Sequence, residues 1–141
     1  MTAVREVSNE LHSNLVERSG LPMAVERLVD GARERTNASI TLEISSEKRY
    51  PPELSCAVFR VLEEILENAL RHANANTINV RVHSGPDMLT VEVADDGAGF
   101  DVSAKQGAGL LLAERRAAAA NLKFVIESVA GQGTIVKIQT S

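Results

Sequence analysis

Residues 53–73 read E-L-S-C-A-V-F-R-V-L-E-E-I-L-E-N-A-L-R-H-A. The apolar positions Leu54, Val58, Val61, Leu62, Ile65, Leu66, Ala69 and Leu70 recur at three- and four-residue steps, which makes one wide buried stripe of an α-helix. The spacing predicts a helix from Glu53 to about His72, opened by Pro51 or Pro52, because proline's missing N–H costs nothing in a first turn. Immediately downstream the period changes from 3.6 to two. Ile78, Val80 and Val82 alternate, S-G-P-D supplies a turn, and Leu89, Val91 and Val93 alternate again, the pattern of a hairpin.

Working outward, Val4, Val7, Leu11 and Leu15 share one stripe of a short helix over 4–18. Gly20 and Pro22 interrupt it, and a second helix carries Met23, Val25, Leu28, Val29 and Ala32 and ends near Asn37. Ile40, Leu42 and Ile44 give a half-buried strand over Ser39–Ser45. Beyond the hairpin a glycine-rich stretch, Asp95 to Gly109, has no regular period, and a helix follows from Leu110 to Asn121. Phe124, Ile126 and Ser128 mark a strand, A-G-Q-G a turn, and Ile135, Val136 and Ile138 a last strand. Strands in neighbouring pairs imply an α+β fold, with a mixed, mostly antiparallel sheet covered by helices on one face. The pattern excludes a doubly wound dinucleotide-binding domain, and no G-x-x-x-x-G-K-[ST] loop is present.

Composition narrows the possibilities. The chain has 141 residues, 44% hydrophobic and 24% charged, within the usual range of one folded domain of about 100–150 residues. Its four aromatics, Tyr50, Phe59, Phe100 and Phe124, leave the core to aliphatic side chains and offer no base-stacking platform. Fifteen basic against nineteen acidic residues disfavour direct nucleic-acid binding. A small anion remains compatible, since a few backbone N–H groups and one or two cations suffice for it. Cys56 is the single cysteine, so neither an intramolecular disulfide nor an all-cysteine metal site can form. No apolar run approaches the ~18 residues of a membrane span and no signal-peptide core opens the chain. The expectation is a cytoplasmic domain without membrane contact of its own, whatever anchor the full-length protein carries.

Three segments carry chemistry. In the long helix Glu64 and Asn68 lie four residues apart and project from one face, whereas Glu63 and Glu67 form a second pair, read as solvated surface charges. The run V-E-V-A-D-D-G-A-G-F puts Asp95 at a strand end, where a fixed carboxylate can accept a hydrogen bond from an exocyclic amine while Gly97 and Gly99 let the chain pass close beside a planar ring. Gly107-Ala108-Gly109-Leu110 opens a helix, whose free N–H groups and dipole favour a phosphate.

Jointly these segments resemble the ATP-binding domain of the GHKL superfamily, which contains gyrase-type ATPases, heat-shock chaperones, histidine kinases and mismatch-repair ATPases. The residues that carry the resemblance are Glu64-x-x-x-Asn68, Asp95-x-Gly97-x-Gly99, Gly107-x-Gly109-Leu110 and Gly131-Gln132-Gly133-Thr134, in the family's order. The runs R-V-L-E-E-I-L-E-N-A-L-R-H-A, D-D-G-A-G-F, G-A-G-L-L-L-A-E-R-R-A and G-L-P-M-A-V-E-R-L are similar to sensor histidine kinases of the nitrate-sensor and desaturase-regulator branch. The lid, Phe100 to Gln106, is short, as in that branch.

The resemblance implies a two-layer α/β sandwich of the Bergerat type, with residues 1–19 as a linker helix and 20–141 as the catalytic domain. It implies that Asp95 accepts the adenine amino group and that Gly97 and Gly99 leave room for the ring. Asn68 would bind Mg²⁺, and Glu64 would assist the acceptor histidine or organise the metal shell. Arg71, His72 and Lys105 would face phosphates, and Gly107, Gly109 and Leu110 would line them. Thr134 would support Asp95 or a bound water.

The implied reaction moves the ATP γ-phosphoryl group to a histidine of a dimerising helical hairpin, then to an aspartate of a response regulator. Glu10-Leu11-His12-Ser13 partly matches an acceptor segment, but only 55 residues lie between His12 and Asn68, too few for a two-helix hairpin besides this domain. His12 is therefore expected in the linker helix and the hairpin in cis or trans elsewhere. The rival readings are an anti-sigma-factor-type serine kinase, disfavoured by R-H-A and G-L-x-x-x-E-R, and a non-catalytic nucleotide-responsive interaction module.

Overall fold

The computed structural model of the chain describes residues 16, 20–45, 50–73, 75–85, 88–97, 108–129 and 131–140. The expected helix over 4–18 lies outside them except for Val16, which is helical, buried in the core and accepts a hydrogen bond from the Gly20 N–H at 2.9 Å.

Helix α1 (Leu21–Arg33) has Pro22 in its first turn and buries Leu21, Ala24, Val25, Val29 and Ala32. It stops at Arg33 rather than near Asn37, because the polar residues that follow find other partners. The Arg33 guanidinium donates to the Ile40 carbonyl at 2.9 and 3.2 Å, and Thr36 Oγ1 accepts the Ala38 N–H at 3.1 Å. Strand β1 (Ser39–Ser45) follows.

Helix α2 (Pro52–Asn68) lays Val58, Phe59, Val61, Leu62, Ile65 and Leu66 into the core, as its sequence stripe requires. The expected continuation to His72 is not α-helical. The Ala69 N–H is shared between the Ile65 and Leu66 carbonyls, and Ala69–Ala73 form a π-helical turn. Such turns insert one residue into the helical ladder and concentrate at functional sites. Strands β2 (Thr77–Ser84) and β3 (Leu89–Asp95) pair antiparallel as the expected hairpin.

Helix α3 (Ala108–Ala119) ends two residues before the expected Asn121. Asn121 takes φ 59°, its N–H bonds the Ala118 carbonyl at 3.1 Å, and the Leu122 N–H bonds the Ala117 carbonyl at 2.8 Å. This is a Schellman cap, with asparagine in the left-handed position and the buried Leu122 closing it. Strands β4 (Lys123–Val129) and β5 (Gly133–Gln139) complete the chain.

The five strands form one sheet in the order β1-β2-β3-β5-β4. Only β1 and β2 run parallel, as they must when α2 carries the chain back across the sheet; the other pairs are antiparallel. Ile78, Val80 and Val82, Leu89, Val91 and Val93, and Val136 and Ile138 face the helices, while their alternating neighbours face outward. The α+β class with a mixed, mostly antiparallel sheet is the architecture found. Among the described residues no helix is long and apolar enough to cross a membrane.

Two substitutions check this account. Leu62 is completely buried, so Leu62→Ala should cost about 3 kcal/mol in urea unfolding, from lost burial and the cavity left behind. Gly133 has φ +100°, and a Cβ there would overlap the Asp95 carbonyl oxygen. Gly133→Ala is therefore expected to lower the unfolding midpoint markedly, whereas Gly31→Ala, with open space around it and a helical backbone, should not.

Candidate nucleotide-binding site

The end of β3 and the starts of β2 and β5 meet at one side of the domain. Asp96, following β3, accepts the N–H groups of Asn76 at 2.8 Å and Thr77 at 2.9 Å, which ties the chain leaving α2 to the end of β3. These bonds hold the exposed Asp96 carboxyl below its ordinary range. Across the sheet Asp95 pairs with Thr134 of β5. The end of β3 is thereby joined to the start of β2 and to the start of β5. Asp95 continues the inward series Leu89, Val91, Val93, so its side chain falls on the helix-bearing face.

Asp95 is set by opposing effects. Burial pushes its carboxyl pKa above the usual value, and the neighbouring Asp96 charge adds to this, while the N–H groups of Gly97 and Thr134 pull it back. The Gly97 N–H reaches Oδ1 at 2.9 Å. Gly133 passes against the Asp95 carbonyl, and that approach is open only to a residue without a side chain. The result is a half-buried acceptor with a fixed direction, suited to an amine donor on a planar ligand.

Thr134 meets Asp95 through its backbone. Its backbone N–H, rather than its hydroxyl, supports Asp95. The hydroxyl lies 2.8 Å from Ser128 Oγ, which also donates to the Gly133 carbonyl at 3.1 Å, so the side chain stitches the β4–β5 turn.

Asn68 is the last α-helical residue before the π turn. Its Oδ1 is fully buried and has no hydrogen-bond partner among the described residues. Leaving a buried acceptor unpaired costs about 1–3 kcal/mol. One turn earlier Glu64 is buried and receives Arg116 Nη1 of α3 at 3.1 Å.

Arg71 is exposed and lies 3.7 Å from Glu67, which also takes Arg35 at 3.1 Å. Glu67 is therefore an ion-pair hub between α1 and α2 rather than the solvated charge the sequence suggests. Leu110 is buried in the core and Gly109 lies in the first turn of α3. The backbone of His72 belongs to the π turn; its side chain, and Gly99, Lys105, Gly107 and the lid 100–106, lie outside the described residues. A cavity of about 360 Å³ is lined by Asp95, Asp96, Gly133 and Thr134 of this arrangement together with Asn79, Ala94 and Ile135.

Sequence reasoning missed Arg116, Ser128 and the backing role of Gly133. The Arg116 signal was available: it follows Ala113 by three residues and precedes Ala117 by one, on the face that α3 buries.

Residues 55–141 match the family model described as histidine kinase-, DNA gyrase B- and HSP90-like ATPase. A sensor-like histidine kinase of Chloroflexus aurantiacus is 34% identical over 96% of this chain and 24% of its own length. The signal transduction histidine-protein kinase/phosphatase DegS of Brevibacillus brevis is 27% identical over 98% of this chain and 36% of its own. Sensor histidine kinase NarS of Mycobacterium tuberculosis is 34% identical over 68% and 22%. The chain thus spans about a quarter to a third of the relatives it matches.

Among solved structures, the Erythrobacter litoralis blue-light activated histidine kinase superposes with TM-score 0.74 at 21% identity, over 85% of this chain and 41% of that one. Acinetobacter baumannii histidine kinase AdeS gives 0.71 at 16%, over 96% and 76%. Fold, motif order and sequence agree: the chain belongs to the histidine kinase-, DNA gyrase B- and HSP90-like ATPase family, as an ATP-binding domain similar to those of sensor histidine kinases.

Proposed function

We propose that this chain is the catalytic domain of a sensor histidine kinase, transferring the ATP γ-phosphoryl group to a histidine on a dimerisation hairpin for relay to a response-regulator aspartate. The observations that carry this reading are the buried Asn68 Oδ1, without a hydrogen-bond partner among the described residues, and the half-buried Asp95 carboxylate. Residues 20–141 act as the domain and the segment before them as its link to the hairpin.

Each residue has a separable task. Asp95 accepts the adenine amino group, and the N–H groups of Gly97 and Thr134 hold its carboxylate in place. Gly97 and Gly99 give the ring room, and Thr134 fixes the neighbouring turn. Gly107, Gly109 and Leu110 set the start of α3 against the phosphates, where free N–H groups favour anions. Lys105 and His72 supply positive charge or hydrogen bonds there. Arg71 joins them only by leaving Glu67, an exposed pairing of small energetic weight. Glu64 orients the acceptor imidazole at the transfer point.

Magnesium fits this donor set. Mg²⁺ favours oxygen ligands, keeps several waters and is commonly held by few protein groups plus substrate phosphates, so one orphaned amide oxygen suffices. When bound, it neutralises charge on the transferring phosphate. In the transfer the acceptor nitrogen forms a bond to the γ-phosphorus as the bond to the β,γ-bridging oxygen breaks. ADP leaves with that oxygen and the imidazole gives up its proton. This chemistry is positioning and charge stabilisation, which is what a pocket of fixed acceptors and backbone donors provides.

The test is labelled ATP mixed with the protein and a hairpin fragment bearing the acceptor histidine. Transfer of acid-labile, base-stable label to the hairpin is expected; nucleotide binding without transfer would instead support the interaction-module reading.

Asp95→Asn should weaken nucleotide affinity about tenfold or more in calorimetry, the cost of losing a charge-assisted hydrogen bond. Because the folded pKa is raised, the folded chain keeps the Asp95 proton to higher pH than the unfolded chain. Its stabilising contribution is thus present below the ordinary value of 3.8 and lost as pH rises through the folded value. Asp95→Asn is accordingly expected to leave stability at pH 7 undiminished. The affinity gap between wild type and variant should narrow as pH falls through the raised value. Asn68→Ala should abolish the magnesium-dependent gain in ATP affinity while magnesium-free binding persists, and calorimetry with and without the metal separates the two.

A further inference from the structure

Glu64 has a partner on another helix. Arg116 reaches across from α3 and places Nη1 3.1 Å from Glu64 Oε1. The Glu64 side chain is 10% exposed and that of Arg116 38%, so the pair is partly shielded from solvent at the carboxylate end. Ala113 and Ala117, both fully buried, bring α3 close to α2 beside this contact and leave room for a long side chain between them. The same helix begins at Ala108, in the second glycine segment that the proposed function sets against the phosphates.

From this we infer that Arg116 is a positioning residue for phosphoryl transfer: it fixes the orientation of the Glu64 carboxylate and links that orientation to the seating of α3. The inference rests on the kinase reading above and adds to it a residue that makes no contact with substrate. A carboxylate on a helix can swing through several rotamers, whereas a guanidinium hydrogen bond with charge on both partners holds one of them. A lysine retains the charge but lacks the planar fork. The Arg116 side chain also spans two elements that the reaction needs in register, α2 with Asn68 and α3 with the glycine turn. Loosening it disturbs Glu64 while Asp95, which belongs to β3 and β5, keeps the adenine end unchanged.

The experiment compares Arg116→Met, Arg116→Lys, Glu64→Gln and the Arg116→Met/Glu64→Gln double variant. The readouts are transfer to the histidine hairpin, ATP affinity by calorimetry and the urea midpoint. Arg116→Met is expected to lower kcat about tenfold, the scale seen when a group that orients an active-site ligand is removed. KM for ATP and calorimetric affinity should stay unchanged, and Arg116→Lys should recover part of the rate. In the Glu64→Gln background Arg116→Met should cost nothing further, as expected of residues that act as a unit.

Full additivity in the double variant would overturn the inference. So would an unchanged kcat, or a loss that merely follows the urea midpoint with no recovery by lysine. A wild type that binds ATP but never phosphorylates the hairpin is a different result: it removes the kinase reading and this inference with it. A wild type that transfers normally beside an unaffected Arg116→Met removes the inference alone.

Discussion

The site depends on keeping a carboxylate half out of water at the end of a strand. Asp95 would rather be hydrated, and burial raises its pKa accordingly. What holds it is backbone: the Gly97 N–H on one side, the Thr134 N–H on the other, and a glycine at 133 whose missing side chain lets β5 start against β3. The turn between β4 and β5 is in turn secured by Ser128, bonded to the Gly133 carbonyl and paired with the Thr134 hydroxyl. A functional acceptor is thus set by the sheet itself and not by a flexible loop, an economical way to fix the direction of one hydrogen bond.

The same division runs through the rest of the pocket. Regular elements carry the groups that need direction, Asp95 on β3, Asn68 and Glu64 on α2. The π turn directly after Asn68 belongs to this scheme. It interrupts the helical ladder directly after Asn68, whose Oδ1 has no hydrogen-bond partner among the described residues.

Much of this was legible in the sequence because it follows from period and spacing. The stripe of residues 54–70 required a buried helix, and alternation in 78–82 and 89–93 required a hairpin; both are present. Glu64 and Asn68, four apart, had to share a face. The places where the reading slipped have physical causes. The long helix changes register at Ala69 through a shared N–H bond, which no side-chain pattern encodes. Helix α3 stops early because Asn121 accepts a left-handed backbone and Leu122 is pulled into the core, a tertiary effect. Glu67 looks like surface charge from its own helix, and only the packing of α1 brings Arg35 to it. Arg116 sits legibly on the buried face of α3, but its partner, 52 residues away, is set by tertiary packing.

These tertiary ion pairs differ in kind. Glu67 with Arg35 and Arg71 is exposed on the basic side, so water competes with it and it contributes little to stability. Glu64 with Arg116 is mostly screened from solvent at the carboxylate, so removing Arg116 takes a cationic partner from a charge that water reaches poorly. Stability alone does not call for such a pair, since an apolar contact of equal volume between α2 and α3 would hold those helices at least as well. Its presence one turn from Asn68, in a helix face otherwise made of alanine and leucine, is better accounted for by what the carboxylate must do there. The structure retains a charge because a charge with a fixed orientation is needed, and the arginine is the part of the fold that fixes it.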